Sequence, residues 1–295
     1  MRELTIGVVV STIVDAHHHF LDPERIDYPF LRFLPQLRRR LDAGDLAPLI
    51  RAAGVARTVA VQASDCEAET AFLLDEAARS GFVAGVVGWL PLADPSAAAR
   101  ALEHFAAHPG RLVGVRHLIH DEPDPDWVVQ EPVLESLRVL AARGLAFDLS
   151  AFQPRHLEHV ATFAERVPEL RVVICHYGMP RVDEHQWEPW ASTFARAARN
   201  PNAFVKISGL DLFLGGPDAE RTRPYFEHAL ACFGASRLIW ASNWPVSLQL
   251  RGYAELLETA RTLLAPLAPR EGAAILGANA DRVYRLGLRL ESEAG

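Results

Sequence analysis

Cysteine is scarce. The three present, Cys66, Cys175 and Cys232, lie far apart and make no CxxC pair, which argues against a disulfide scaffold or a thiolate zinc site and suggests a reducing compartment. No stretch holds the about 18 unbroken apolar residues of a membrane span. Basic residues are not gathered: 30 Lys and Arg face 37 Asp and Glu, a net charge of −7. Without a basic stripe, nucleic acid is not an expected partner. Met1 to Val14 is apolar after Thr5 but has neither a basic leader region nor a clear small-residue cleavage site, so no signal peptide is read there. Residues 1–11 read as an extension or as an extra strand closing a barrel floor. No fixed-period repeat, low-complexity tract or linker divides the chain. The expectation is a soluble cytoplasmic protein with one domain over residues 12–290 and a small-molecule substrate; oligomeric state is not legible.

What is abundant is apolar sequence, 49% of 295 residues, enough for a large core. Apolar runs followed by helical patterns recur eight times. The strands are expected at 12–19, 57–63, 82–92, 112–119, 145–151, 170–176, 203–210 and 237–244. Helix signals fall between them: Asp45 before Leu46–Ala53, Asp65 before a helix to Ala78, and Asp94-Pro95 at the start of another. Tyr253–Leu264 and Glu271–Leu286 read as closing helices. Eight β/α units in series predict a single (β/α)8 barrel. An open doubly wound sheet would want a Gly-rich turn after the first strand, where this chain has His17-His18-His19-Phe20. The proline-broken stretch from Leu21 to Asp42 is long for a loop in a compact domain, which marks it as a lid or pocket wall.

In such a barrel the active site lies at the C-terminal strand ends. Those ends carry His17 and His19, Gln62, Trp89, Arg116 and His117 with His120 beyond, Asp148, His176 followed by Tyr177, Lys206 and Ser208, and Asn243 with Trp244. Strand alternation puts His17 and His19 on one face above Asp15 and Ile13, with His18 opposite. It puts His176 on the face of Val172 and Ile174, with Cys175 toward the helices. Imidazoles on one face can share a divalent metal or act as an acid/base pair, and each has the alternative of a satisfied core histidine. Arg116 offers a planar fork to a carboxylate or ester carbonyl, or an ion-pair partner to Asp148. Asp148 reads equally as an orienter of a histidine, Lys206 as a buried ion-pair member, and the acidic run Asp121–Asp126 as solvated surface.

The motifs Asp15–Phe20, Gly114–His117, Asp124–Trp127, His176–Gly178, Val205–Gly209 and Ser242–Pro245 together resemble the landmarks of the amidohydrolase-2 family, in particular its sugar-lactonase branch of fuconolactonase-like, rhamnonolactonase-like and pyrone-dicarboxylate-lactonase-like enzymes. The resemblance runs from Thr12 to Leu286. It implies a (β/α)8 barrel that hydrolyses a small carboxylated or polyhydroxylated lactone. His17, His19, His176 and position 243 would be catalytic; Gln62, Trp89, Arg116, His117, His120, Tyr177 and Trp244 would bind substrate. It also implies either one divalent metal, zinc or manganese, at His17, His19 and His176, or none. Two departures stand out. The family commonly has Asp where Asn243 stands, and Asn cannot accept a water proton and is a poor metal ligand. Met179 stands where Lys is frequent. Asn243 leaves open an Asp-to-Asn variant, a member whose base is His176 or His17, or a pseudoenzyme that binds without turnover. A metal-dependent decarboxylase or amide hydrolase on the same barrel is the other enzymatic reading.

Overall fold

A computed structural model describes residues 12–182, 187–249 and 252–288; the expected N-terminal extension over residues 1–11 lies outside them. Eight parallel strands run in sequence order around a barrel: β1 (Ile13–His18), β2 (Val55–Val61), β3 (Val83–Gly88), β4 (Leu112–His117), β5 (Ala146–Leu149), β6 (Arg171–Ile174), β7 (Ala203–Ile207) and β8 (Leu238–Trp240). The ring closes at its upper end, where Asn243 N donates to His17 O (2.9 Å) and His19 N to Trp244 O (2.7 Å). The seam between first and last strands is therefore made by the residues of the expected site. The observed strands are shorter than the apolar runs predict; Arg116, His117, Asp148 and Lys206 stay in the ladder, while His176 and Asn243 lie beyond it.

Around the barrel lie α1 (Ala43–Ala53), α2 (Glu67–Ser80), α3 (Pro95–Ala106), α4 (Glu131–Ala142), α5 (Pro154–Arg166), α6 (Trp190–Ala197), the one-turn α7 (Asp211–Leu214), α8 (Ala219–Phe233), α9 (Tyr253–Leu264), α10 (Pro269–Ala273) and α11 (Asn279–Tyr284). Strands covered on both faces carry near-continuous apolar sequence, and here they divide it between two cores. Ile13, Ala60, Val86, Val115, Phe147, Val172, Ile174 and Val205 pack outward under the helices. Val14, Val59, Val61, Val87, Ala146, Val173, Phe204 and Ile239 fill the barrel, closed from below by Ala280, Val283, Tyr284 and Leu286. Among the described residues no helix is long and apolar enough to cross a membrane.

Three local expectations are corrected. The cap of α1 is Asp42, whose carboxylate accepts from Gly44 N, while Asp45 closes the box by accepting from Asp42 N. Asp65 caps no helix; it accepts from Gln62 Nε2 and from Leu118 N instead. The stretch expected as one helix over Glu271–Leu286 is interrupted by a π turn, Ala274–Ala278. That turn lays Gly277 against β1, and a Cβ built there would stand 2.0 Å from the Thr12 carbonyl oxygen. Gly277→Ala is therefore expected to push this segment off β1 and cost about 1–3 kcal/mol, to be read by chemical denaturation; unchanged stability would contradict the close approach.

Candidate active site

The histidines reach the barrel mouth by a break in alternation. Opposite β2, Asp15 aligns with Thr58 and His18 with Ala60, three residues against two, which is a β-bulge. Val14 and Ala16 point into the barrel, and after the bulge so do His17 and His19. Asp15 and Ile13 thus lie on the opposite face from His17, contrary to the simple alternating reading. The Asp15 carboxylate points outward, accepting from Ser242 N (2.8 Å), Ser242 Oγ (2.5 Å) and Tyr253 OH (2.8 Å), and so ties β1 to the end of β8 and to α9. His18 points outward as expected, with Nε2 2.8 Å from Thr58 Oγ1. A second bulge, where Leu112 faces Val86 and Gly114 faces Val87, sends Arg116 inward and His117 outward.

His17 is held from beneath. Lys206, the chain's only lysine, is fully buried and pairs with Asp148 at 2.6 Å. Tyr284 OH donates to the same carboxylate at 2.8 Å, and Lys206 Nζ also lies 3.2 Å from His17 Nδ1. Above, His17 Nε2 stands 3.1 Å from His19 Nε2. His19 gives its Nδ1 hydrogen to the Val61 carbonyl (2.7 Å), so its Nε2 presents a lone pair.

His176 arrives differently from expectation. Val172 and Ile174 face outward, which by alternation would turn His176 out and Cys175 in. Cys175 is indeed inside, near His17 and Asp148, not against the helices. His176 enters the site because the chain leaves the strand in left-handed conformation, φ 52° at His176 and 54° at Tyr177. Its Nδ1 lies 2.9 Å from Ser208 Oγ, and its ring centroid is 4.5 Å from that of His17. Gly209 makes room: a Cβ there would meet the His176 ring at 2.9 Å. Asn243 also has positive φ, 57°, a region Asn and Asp enter more readily than most residues.

A cavity of about 470 Å³ opens above these groups, lined by His19, Arg116, Ser150, His176 and Asn243 at the strand ends and by His120 on a loop. His17 lies beneath, against His19 and Arg116. The remaining expected ligand residues are placed elsewhere. Gln62 donates to Asp65 and to the Arg116 carbonyl (3.0 Å). Trp89 donates through Nε1 to His117 Nδ1 (3.0 Å). His117 is further engaged by Glu122 (2.7 Å) and stacked on Trp127. Tyr177 and Trp244 are buried away from this cavity, the latter against His18 and Phe20. The wall contributed by Pro29–Leu34 agrees with a functional loop after β1. Phe152, Leu212 and Phe213 also line the cavity and were not picked out from sequence; nothing distinguishes an apolar wall residue from core before the loops are placed.

The sequence profile of the Amidohydrolase family matches residues 14–286. The chain belongs to this family. It is 37% identical over 289 residues to an L-fucono-1,5-lactonase of Burkholderia ambifaria, covering 92% of this chain and 95% of that one. An L-fucono-1,5-lactonase of Burkholderia multivorans is 30% identical over 287 residues, with 92% and 96% covered. A crystal structure of an amidohydrolase from Burkholderia multivorans with bound zinc superposes with a TM-score of 0.85 at 30% identity, covering 93% of this chain and 99% of the other.

A divalent metal is compatible with the donors of this amidohydrolase. The 3.1 Å between His17 Nε2 and His19 Nε2 is near the span of two ligands on one tetrahedral ion with metal–nitrogen bonds of ~2.0–2.1 Å. The three-ligand group that the described residues bring together is instead His17, Asp148 and Cys175, with ligand atoms within 4.8 Å of one another. It is less suited, because Asp148 is already held by Lys206 and Tyr284 and burial pushes the Cys175 thiol up.

The amidohydrolase keeps its interior histidines neutral. Burial, followed by the charge of Lys206, lowers His17 well below the ordinary 6.5, and burial, followed by the charge of Arg116, does the same to His19 and His176. Burial likewise lowers His18 to about 3, and His120 and His156 to about 4. In the unfolded chain these groups titrate near 6.5, so between there and about pH 4 the unfolded state binds protons that the folded state refuses. Stability is then present above pH ~6.5 and lost as pH falls, by up to about 1.4 kcal/mol per pH unit for each such histidine. Thermal melts across this range should show Tm falling steeply, and His156→Gln, outside the cavity, should flatten the slope. A Tm indifferent to acid would contradict the buried neutral state.

Proposed function

We propose that this amidohydrolase opens a small sugar-type lactone by attack of water on the ring carbonyl. The observation that carries the reading is Arg116, a buried guanidinium that nonetheless lines the cavity floor beside His19, His176 and Asn243. A fixed guanidinium charge at a cavity floor favours a substrate oxygen. Arg116 and Lys206 bring two positive charges to the floor and Asp148 one negative charge, so the field favours an oxyanion. The fuconolactonase relatives support the substrate class.

The lactone carbonyl oxygen accepts from Arg116. Water, held by Asn243 and His176, adds to the carbonyl carbon. Its proton goes to His176, whose other nitrogen is steadied by Ser208. The ring C–O bond then breaks, and the leaving alkoxide takes that proton to give the hydroxy acid. Asn243 orients the water without taking its proton, which leaves the base role to a histidine whose basicity burial has reduced. A metal, where present, would be held by His17 and His19 with His176 and would supply Lewis acidity. The three unpaired cysteines fit the cytoplasm as the compartment.

Purified protein assayed on a panel of aldonolactones and a pyrone dicarboxylate should show turnover. Arg116→Gln is expected to lower kcat about 10²–10³-fold. Asn243→Asp, which the local backbone tolerates, is expected to raise kcat by about 10²-fold or more by restoring a positioned base. No turnover by either the native chain or Asn243→Asp would sink the lactonase reading. Binding without turnover in both would instead favour a pseudoenzyme.

A further inference from the structure

The upper part of the cavity does not match a plain sugar lactone. Above the polar floor, the segment after β1 contributes Phe30, Phe33 and Leu34, the loop after β5 contributes Phe152, and α7 contributes Leu212 and Phe213. Three separate loops thus converge on one space with apolar side chains. Phe33 and Phe152 are 71% and 41% exposed, and among the described residues they are two of the three large hydrophobic side chains left open to solvent. Isolated exposed aromatics need no explanation, but two on one cavity rim mark a binding surface. The cavity, about 470 Å³, falls in the range of about 300–1,000 Å³ that encloses a drug-sized ligand. A fully hydroxylated six-carbon lactone would leave much of that space unfilled. It would also set hydroxyls against phenyl and leucyl groups that offer no hydrogen bond. The loop polar groups are partly engaged with the aromatics themselves: the His120 ring stacks on Phe152 at 4.0 Å and the Arg32 guanidinium lies 4.6 Å from the Phe33 ring centroid.

We infer that the lactone taken by this enzyme carries an apolar arm, alkyl or aryl, which lies between Phe33 and Phe152 while the ring ester sits on Arg116 and His176. The inference rests on the lactone reading above and narrows its substrate class. The arm's burial supplies binding that the neutral Asn243 does not disturb, and it orients the ring with its carbonyl down.

The test compares kcat/KM for a δ-valerolactone bearing a pentyl arm and for dihydrocoumarin with that for glucono-1,5-lactone. The armed lactones should be favoured by about tenfold or more. Phe33→Asn and Phe152→Asn, both at exposed positions where folding is little affected, should shrink that ratio about fivefold each through KM. A preference for glucono-1,5-lactone, or a ratio unmoved by both substitutions, overturns the apolar arm while leaving the lactonase reading standing. If no lactone is turned over, the lactonase reading fails, and calorimetry with the matching lactams decides the arm separately. The pentyl lactam should bind about tenfold more tightly than gluconolactam, and equal or weaker binding overturns the inference.

Discussion

One buried ion pair divides the barrel interior. Lys206 and Asp148 are both wholly inaccessible, and below them the barrel is filled by valine, alanine and phenylalanine from the strands and by Tyr284 from the closing helix. Above them every inward side chain that the site uses is polar. Unpaired, either charge would cost several kcal/mol in this environment, so the pair has to be geometrically exact and further bonded. Tyr284 supplies the additional donor to Asp148, and Lys206 spends another of its hydrogens toward His17. The closing C-terminal helix is thereby coupled to the imidazole at the site floor through Tyr284, Asp148 and Lys206.

The same arrangement shapes the chemistry. Two cations and a single carboxylate surround three histidines kept neutral by burial and by those cations. At this floor Asn243 is an uncharged amide that cannot take up a proton. The floor is suited instead to accepting negative charge, whether as a developing oxyanion or a substrate oxygen. The closure of the barrel belongs to this design as well. The β8–β1 seam is bonded through His17, His19, Asn243 and Trp244 backbone groups, so the imidazoles and the amide are fixed relative to one another by main-chain hydrogen bonds.

Much of this was legible in the residues. Eight apolar runs alternating with helical patterns are sufficient for the barrel, since a parallel sheet covered on both faces needs that composition. The polar residue at nearly every strand end marks the mouth, and His17, His19, Arg116, His120, His176 and Asn243 do converge there. Less was legible where the backbone departs from period two. A one-residue bulge in β1 puts Asp15 on the far side from His17, and another in β4 turns Arg116 rather than His117 inward. Left-handed dihedrals at His176 carry it into a site that its strand phase would have denied it, while that same phase turns Cys175 to the interior. Such departures depend on register against neighbouring strands, which a single strand's pattern does not contain.

The residue types and their order, then, determined the barrel, the end of it that bears the polar strand ends and the neutral amide at position 243. These follow from local patterning and from what each side chain can donate, accept or bury. Tertiary structure alone decided which neighbours of a strand end face inward, which of the expected ligand residues are spent on holding the scaffold, and that three distant loops build an apolar wall over a polar floor. Those outcomes come from bulges, seam closure and loop convergence, each an interaction between segments remote in the chain.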